Sequence, residues 1–190
     1  LEKNYQSKFN KSLSDEEIKS NSKKLLTQSV KEQLISDVPL GCFLSGGIDS
    51  TLITAIAQEN NIKKINTFSI GFDNKFYDES KYSDNIANIL GTQHYSIKLT
   101  NKEIAEAATE LGNIYCEPFA DSSQIPTLLL SRFAKKYVTV CLSGDGGDEM
   151  FLGYNRYLYS EFYFNKLKIL PLRLRILISF FLLSFNYDNY

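Results

Sequence analysis

The sequence predicts an α/β fold, a mainly parallel sheet with helices on both faces. Short apolar runs alternate with segments of helical period along most of the chain, the pattern of strands joined by crossover helices. Two glycine-rich motifs, at 45–47 and 143–147, each follow directly on a strand-like run. Ligands of such sheets bind at the carboxyl ends of the strands, which places both motifs on one rim. No internal repeat or low-complexity linker interrupts the pattern.

The elements follow in order. Ser14-Asp15-Glu16-Glu17 reads as a capping box, serine at the cap and glutamate three residues later. It opens a helical lead-in over 14–37, with Ile18, Leu25, Leu26, Val30, Leu34 and Ile35 on roughly one side. Pro39 ends it. Leu40 to Leu44 is a short buried strand. Leu52, Ile53, Ile56 and Ala57 make the next helix amphipathic, and Asn60-Asn61 closes it. Ile65 to Ile70 is a second strand, broken by Gly71. Residues 79–90 are helical by period, with Gly91 as terminator. His94 to Leu99 is a third strand, and Thr100 caps the helix after it. Residues 116–126 form a loop, Ser131 to Lys136 lie in a helix, and Tyr137 to Leu142 is a strand. An aromatic helix over 150–164 follows the second glycine motif.

A chain of 190 residues can bury roughly 70% of the surface its unfolded form exposes, enough for a real core. Net charge is -1, which removes any broad electrostatic case for nucleic acid or an anionic membrane. Cys42, Cys116 and Cys141 have neither zinc-ligand nor redox spacing. They are expected to be buried small hydrophobes in a reducing cytosol. The sole histidine, His94, is expected to be structural or at the surface. Residues 1–9 show no signal peptide. The chain opens on Leu1, which leads us to expect a longer parent. The apolar run at 176–185 is shorter than the roughly 20 residues a membrane span needs. It is expected to form a helix that buries against sequence outside this chain, in preference to one lying on a membrane surface. The expected division is 1–165 for the main domain and 166–190 for this apolar tail.

In the first motif, Ser45-Gly46-Gly47 lets backbone N–H groups turn inward. The helix that follows adds its free N–H groups and positive end, and Ser45 and Ser50 add hydroxyls. This is an anion cradle. It lacks the Walker spacing and its lysine, and it is not G-x-G-x-x-G. Asp49 would repel a bare phosphate but would help one bridged by Mg²⁺, which is held by one or two carboxylates plus phosphate oxygens. The other reading is that Asp49 or Ser50 merely caps the helix. On this loop alone the two readings stand equal.

In the second motif, Asp145, Asp148 and Glu149 lie within five positions beside glycines. Such acids are costly unless solvated or metal-bound. The order of an EF-hand loop is not met. A loop that collects magnesium and a substrate amine or ammonia fits better than an exposed acidic turn.

"SGGIDS" at 45–50 resembles the pyrophosphate loop of the ATP pyrophosphatase group, including GMP and NAD synthetases. "EPFADSSQIPT" at 117–127 and "SGDGGDEMFLGYNRY" at 143–157 narrow the likeness to the synthetase domain of glutamine-hydrolysing asparagine synthetases. "TFSIGF" at 67–72 and "YDES" at 77–80 agree. The resemblance covers roughly residues 14–160. It implies an adenine nucleotide alpha hydrolase-like fold of the ATP pyrophosphatase type.

The resemblance also implies a reaction. The side-chain carboxylate of aspartate attacks the α-phosphate of ATP, giving β-aspartyl-AMP and pyrophosphate, and ammonia then displaces AMP to give asparagine. By the same resemblance Leu44 and Ile70 contact the adenosine. Ser45, Gly46, Gly47 and Ser50 hold pyrophosphate, and Ser143 and Gly144 also contact the nucleotide. Asp49 and Asp148 bind Mg²⁺. Asp145 sits where the family places an acid needed to form or use the acyl-adenylate. Glu117 is a further catalytic candidate and, with Asp121 and Ser122, approaches the amino-acid substrate. No Ser-His or Cys-His nucleophile is required. Ammonia comes from glutamine through an N-terminal glutaminase domain expected in the parent, and a functional lysine is expected downstream of this chain. A cytoplasmic location and a homodimer are further expectations. Two alternatives stay open: a related adenylate-forming enzyme such as a β-lactam synthetase or peptide-modifying cyclase, and an inactive nucleotide-binding module.

Overall fold

The computed structural model describes residues 13–73, 78–117 and 120–183. The chain divides into two compact units, Leu1–Asp145 and Gly146–Tyr190. In the first, β1 (Leu40–Phe43), β2 (Asn66–Phe72), β3 (Gln93–Leu99) and β4 (Val140–Leu142) form one sheet in the order β3-β2-β1-β4. Every neighbouring pair is parallel, as the alternating pattern predicts. The helices of this unit are α1 (Asp15–Gln33), α2 (Ile48–Glu59), α3 (Ser80–Leu90), α4 (Asn101–Ile114) and α5 (Gln124–Ala134).

Side chains alternate across a strand, so β1 feeds two cores. Cys42 packs with Val30 of α1, Ile56 and Ala57 of α2, and Ile65. Phe43 points the other way, toward Phe68, Ala134 of α5 and Val138. Helices therefore cover both faces. Burial pushes the Cys42 thiol up to about 12 and the Cys141 thiol up to about 11, so neither is a thiolate near neutrality. Cys116 departs from expectation and is exposed, just past the end of α4.

Both expected caps are present as complete capping boxes, Ser14 with Glu17 and Thr100 with Glu103. Other boundaries differ from the sequence reading. α1 stops at Gln33 because Ser36 closes a turn, its hydroxyl donating to the Val38 carbonyl and accepting from the Val38 N–H. Of its apolar stripe, Val30 is buried, whereas Ile18, Leu25 and Ile35 are exposed. β2 runs through Gly71, which pairs with Lys98 of β3. A Cβ there would lie 2.7 Å from Asp78 Oδ1 and 3.1 Å from Ser80 Cβ. Gly71 does not break the strand; it lets the start of α3 approach it. α5 begins at Gln124 and carries Pro126 within its first turn, where proline is tolerated. β4 is short because Tyr137 and Val138 still turn off α5, each donating to the Ala134 carbonyl.

The second unit contains α6 (Gly147–Phe151), α7 (Asn155–Leu167) and α8 (Leu172–Leu183). The single helix expected over 150–164 is broken after Phe151. Leu152 takes the left-handed conformation, with φ 58°, and the Gly153 N–H turns back to the Asp148 carbonyl. Many large apolar side chains of α7 and α8 are exposed, among them Phe164, Leu177 and Phe180. Among the described residues, no helix is long and apolar enough to cross a membrane.

Candidate functional site

The strand order reverses between β1 and β4: β2 and β3 extend one side of β1, and the chain returns to its other side. In an open parallel sheet this switch point leaves a crevice beyond the carboxyl ends of the strands. Cys42 is level with Leu142, so the loops after β1 and β4 leave the sheet at the same height. These are the two glycine motifs.

The first loop is closed by its own serines. Ser50 Oγ accepts from the Ser45 N–H at 3.2 Å and donates to the Gly47 carbonyl at 3.2 Å. The two hydroxyls lie 2.9 Å apart, and Ser45 Oγ accepts from the Gly47 N–H. Gly46 has φ +86°, a conformation that suits glycine. Gly47 is the N-cap of α2, and no side chain caps the helix. The first N–H groups of α2 are thus left facing the crevice end of the sheet, with the positive end of the helix behind them.

This geometry separates the two readings of Asp49. It is the second helical residue of α2, half-buried, and it does not cap the helix. Ser50 donates to Gly47 instead of accepting from a helical N–H. The capping reading is therefore not what is found.

Gly144 brings the second loop against the first. A Cβ at Gly144 would lie 2.6 Å from Ser50 N, 2.9 Å from the Asp49 carbonyl carbon and 3.0 Å from Asp49 Cβ. The backbone of one loop sits directly on the first turn of the helix that follows the other. Ser143 is half-buried, and its hydroxyl accepts from the Asp145 N–H at 3.4 Å; Asp145 itself is exposed. Among the described residues of this unit, no three His, Cys, Asp or Glu side chains gather as a metal cage. The donor set still suits a magnesium nucleotide, because the phosphates themselves supply ligands, and the uncapped N–H groups at the start of α2 suit phosphate.

The remaining candidates are placed as follows. Leu44 is fully buried, and its N–H bonds the Phe68 carbonyl at 2.9 Å. Ile70 is half-buried near the end of β2. Glu117 and Ser122 are exposed between α4 and α5. Asp121 is engaged locally: its Oδ1 accepts from both the N–H and the hydroxyl of Ser123 at 2.8 Å, and these bonds hold its carboxyl below the usual range. Among the described residues, no hydrogen bond or ion pair joins these three to a glycine loop of the first unit. In the second unit, Asp148 lies in α6. Its neighbour Glu149 accepts a hydrogen bond from the Tyr154 hydroxyl at 2.7 Å, which pushes that phenol up to about 12, and the Arg156 guanidinium lies 4.2 Å from the Tyr154 ring centre.

The sequence reading missed what braces the first loop. A Cβ on Gly46 would lie 3.0 Å from Tyr82 Cβ and 3.3 Å from Ser83 N, so the first turn of α3 is seated against that loop. The available signal was "YDES". Asp78 accepts from the Ser80 hydroxyl and N–H, which lower its pKa and fix the entry to α3.

The family model described as asparagine synthase matches residues 21–186. A putative glutamine-hydrolysing asparagine synthetase 2 from Methanocaldococcus jannaschii is 45% identical over 137 residues, 72% of this chain and 26% of the relative. Asparagine synthetase 1 (glutamine-hydrolysing) from Bacillus subtilis is 40% identical over 129 residues, 68% of this chain and 20% of the relative. A solved NMN synthetase from Francisella tularensis superposes with a TM-score of 0.49 at 19% identity, over 70% of this chain and 58% of that one. The chain thus spans about a quarter of the length of the curated relatives it matches. With most of its length, both glycine loops included, inside the family match, the chain belongs to the asparagine synthase family.

Proposed function

We propose that this chain is the nucleotide-binding part of an enzyme that makes an amide from a carboxylic acid, ATP and ammonia, with aspartate as the acid and asparagine as the product. The carrying observation is the seat of Gly144 on the first turn of α2, which brings the loops after β1 and β4 together at the switch point. The substrate carboxylate attacks the α-phosphate, pyrophosphate leaves, and ammonia then displaces AMP from the β-aspartyl-adenylate. Pyrophosphate is held as a unit by the N–H groups of 48–50 at the start of α2; the hydroxyls of Ser45 and Ser50, which bond each other and the Gly47 backbone in the bare loop, would turn to it, and the family resemblance adds Gly46 and Gly47. Donors fixed before the reaction stabilise charge where it develops, at little reorganisation cost. Leu44, with its side chain buried and its N–H engaged, would meet the adenosine through its carbonyl, and Ile70 through its side chain. Ser143 and Gly144 line the other wall.

Asp49 is the carboxylate of the first unit that would hold Mg²⁺; Asp148 as a second ligand rests on the family resemblance. When bound, the metal neutralises phosphate charge. The family also carries the roles of Asp145 and Glu117 in forming or using the adenylate, and of Asp121 and Ser122 toward the amino acid. A glutaminase domain in the parent, a homodimer and a cytoplasmic location belong to the same proposal.

ATP–pyrophosphate exchange by the full-length parent is expected to require aspartate; exchange only with another carboxylic acid would rule out asparagine as the product. Asp49→Asn removes a charged partner whose interactions are worth about 1.5–3 kcal/mol. The expected loss is on the order of ten- to a hundredfold in Mg-ATP affinity by calorimetry. An unchanged titration removes Asp49 from the metal site.

A further inference from the structure

His94 lies in a polar cluster between β2, β3 and α3. Its Nδ1 is 2.8 Å from Thr67 Oγ1, and its Nε2 is 3.0 Å from Ser69 Oγ and 3.3 Å from Asp84 Oδ1. Thr67 Oγ1 is in turn 2.9 Å from Thr92 Oγ1, and the Thr92 N–H bonds the Ala87 carbonyl of α3. Thr67 and Ser69 hydrogen-bond the two ring nitrogens, and the Asp84 carboxylate faces Nε2 as an electrostatic partner; the Thr92 hydroxyl also reaches the Ala87 carbonyl of α3 at 3.5 Å. Burial lowers the pKa of His94 from its usual value, and the charge of Asp84 works against that shift. Thr67 and Ser69 are buried in the sheet, so the ring is a fixed post and Asp84 is the point at which α3 is tied to it.

Asp84 directly follows Tyr82 and Ser83, the residues seated against Gly46. We infer that the His94–Asp84 pair is a positioning element of the nucleotide loop, holding the first turn of α3 where it braces Ser45-Gly46-Gly47. This rests on the reading of that loop as a Mg-ATP site. Neither residue touches the nucleotide. Their effect passes through Ser83 and Gly46, and packed interiors transmit such shifts because they are close-packed.

The test uses Mg-ATP titrations of the full chain and of two variants, with melting temperatures measured alongside. Asp84→Ala is expected to weaken Mg-ATP binding by about tenfold, a coupling of ordinary size for linked sites. Asp84→Asn keeps a side-chain oxygen of the same reach facing Nε2 and is expected to restore affinity to within about threefold of the wild type. A residue that serves stability alone would lower the melting temperature and leave the affinity of the folded protein unchanged. Equal affinity in all three proteins overturns the positioning role. Failure of the wild-type chain to bind Mg-ATP overturns the nucleotide reading itself, a distinguishable result. If Asp84→Ala does not fold, the wild type decides. His94 is the sole histidine, so its ring signals in NMR need no assignment by mutation. Saturating Mg-ATP is expected to shift them, and signals that do not move overturn the proposal.

Discussion

Gly144→Ala is expected to lower Mg-ATP affinity by about tenfold to a hundredfold, the equivalent of roughly 1–3 kcal/mol of overpacking. The added methyl would meet Ser50 N at 2.6 Å and the Asp49 carbonyl carbon at 2.9 Å. These are backbone atoms of a helix turn, which cannot rotate away as the end of a long side chain would. Either α2 shifts outward or the β4 loop does, and in both cases the N–H groups of 48–50 leave their aim. The steric effect stands alone, because Gly144 is not among the glycines with positive φ. Calorimetry against Mg-ATP, with circular dichroism to confirm folding, reads the result. Wild-type affinity in a folded Gly144→Ala protein would show that the two loops are not in contact.

Phe68→Ala is expected to have the largest effect on stability, a loss of about 3–5 kcal/mol. Phe68 is fully buried. Its ring stacks on Tyr95 at 5.6 Å between centres, meets Phe133 edge-on at 6.1 Å and lies 5.8 Å from Tyr137. Gly41 on the neighbouring strand makes room for it, since a Cβ there would lie 2.7 Å from Phe68 Cε2. One ring therefore joins β1, β2, β3 and the end of α5. A typical domain has about 5–15 kcal/mol in total, so the variant should be close to unfolded at body temperature. Urea unfolding checks this: the midpoint should fall with little change in slope. A loss under about 1 kcal/mol would mean that the cavity closes by collapse, contrary to the rigid aromatic cluster described above.

The parallel sheet, the two rim loops, the Ser14 capping box and the Thr100 cap were legible in the sequence because each rests on local chemistry: alternation, glycine after a strand, serine three residues before glutamate, or threonine ahead of a helical period. The order of the strands was not. Periodicity reports which face of a strand is apolar, but nothing in the 137–142 run says which edge of the sheet it joins. Gly71 was misread for a related reason. A glycine in a strand signals either an end or a close approach, and only the position of Asp78 decides between them. The helix over 150–164 was overextended because aromatic content outweighed Gly153. Of the candidate site, the residues on the loops after β1 and β4 could be named from glycine, serine and acid spacing. The brace from Tyr82 and Ser83 could not, since it depends on backbone packing and on no side-chain chemistry.

The adjacency of β1 and β4 bears on how the molecule assembles. β1, β2 and β3 pair in the order in which the chain provides them, through one crossover each, whereas the Cys42–Leu142 pairing spans most of the first unit. Contacts of large sequence separation must meet the loop-closure cost before they return any stability. The wall of the crevice that β4 supplies is therefore expected to form late in folding. A ligand that grips both strand ends recognises only the fully assembled sheet. By mass action, it shifts the population toward that assembled state.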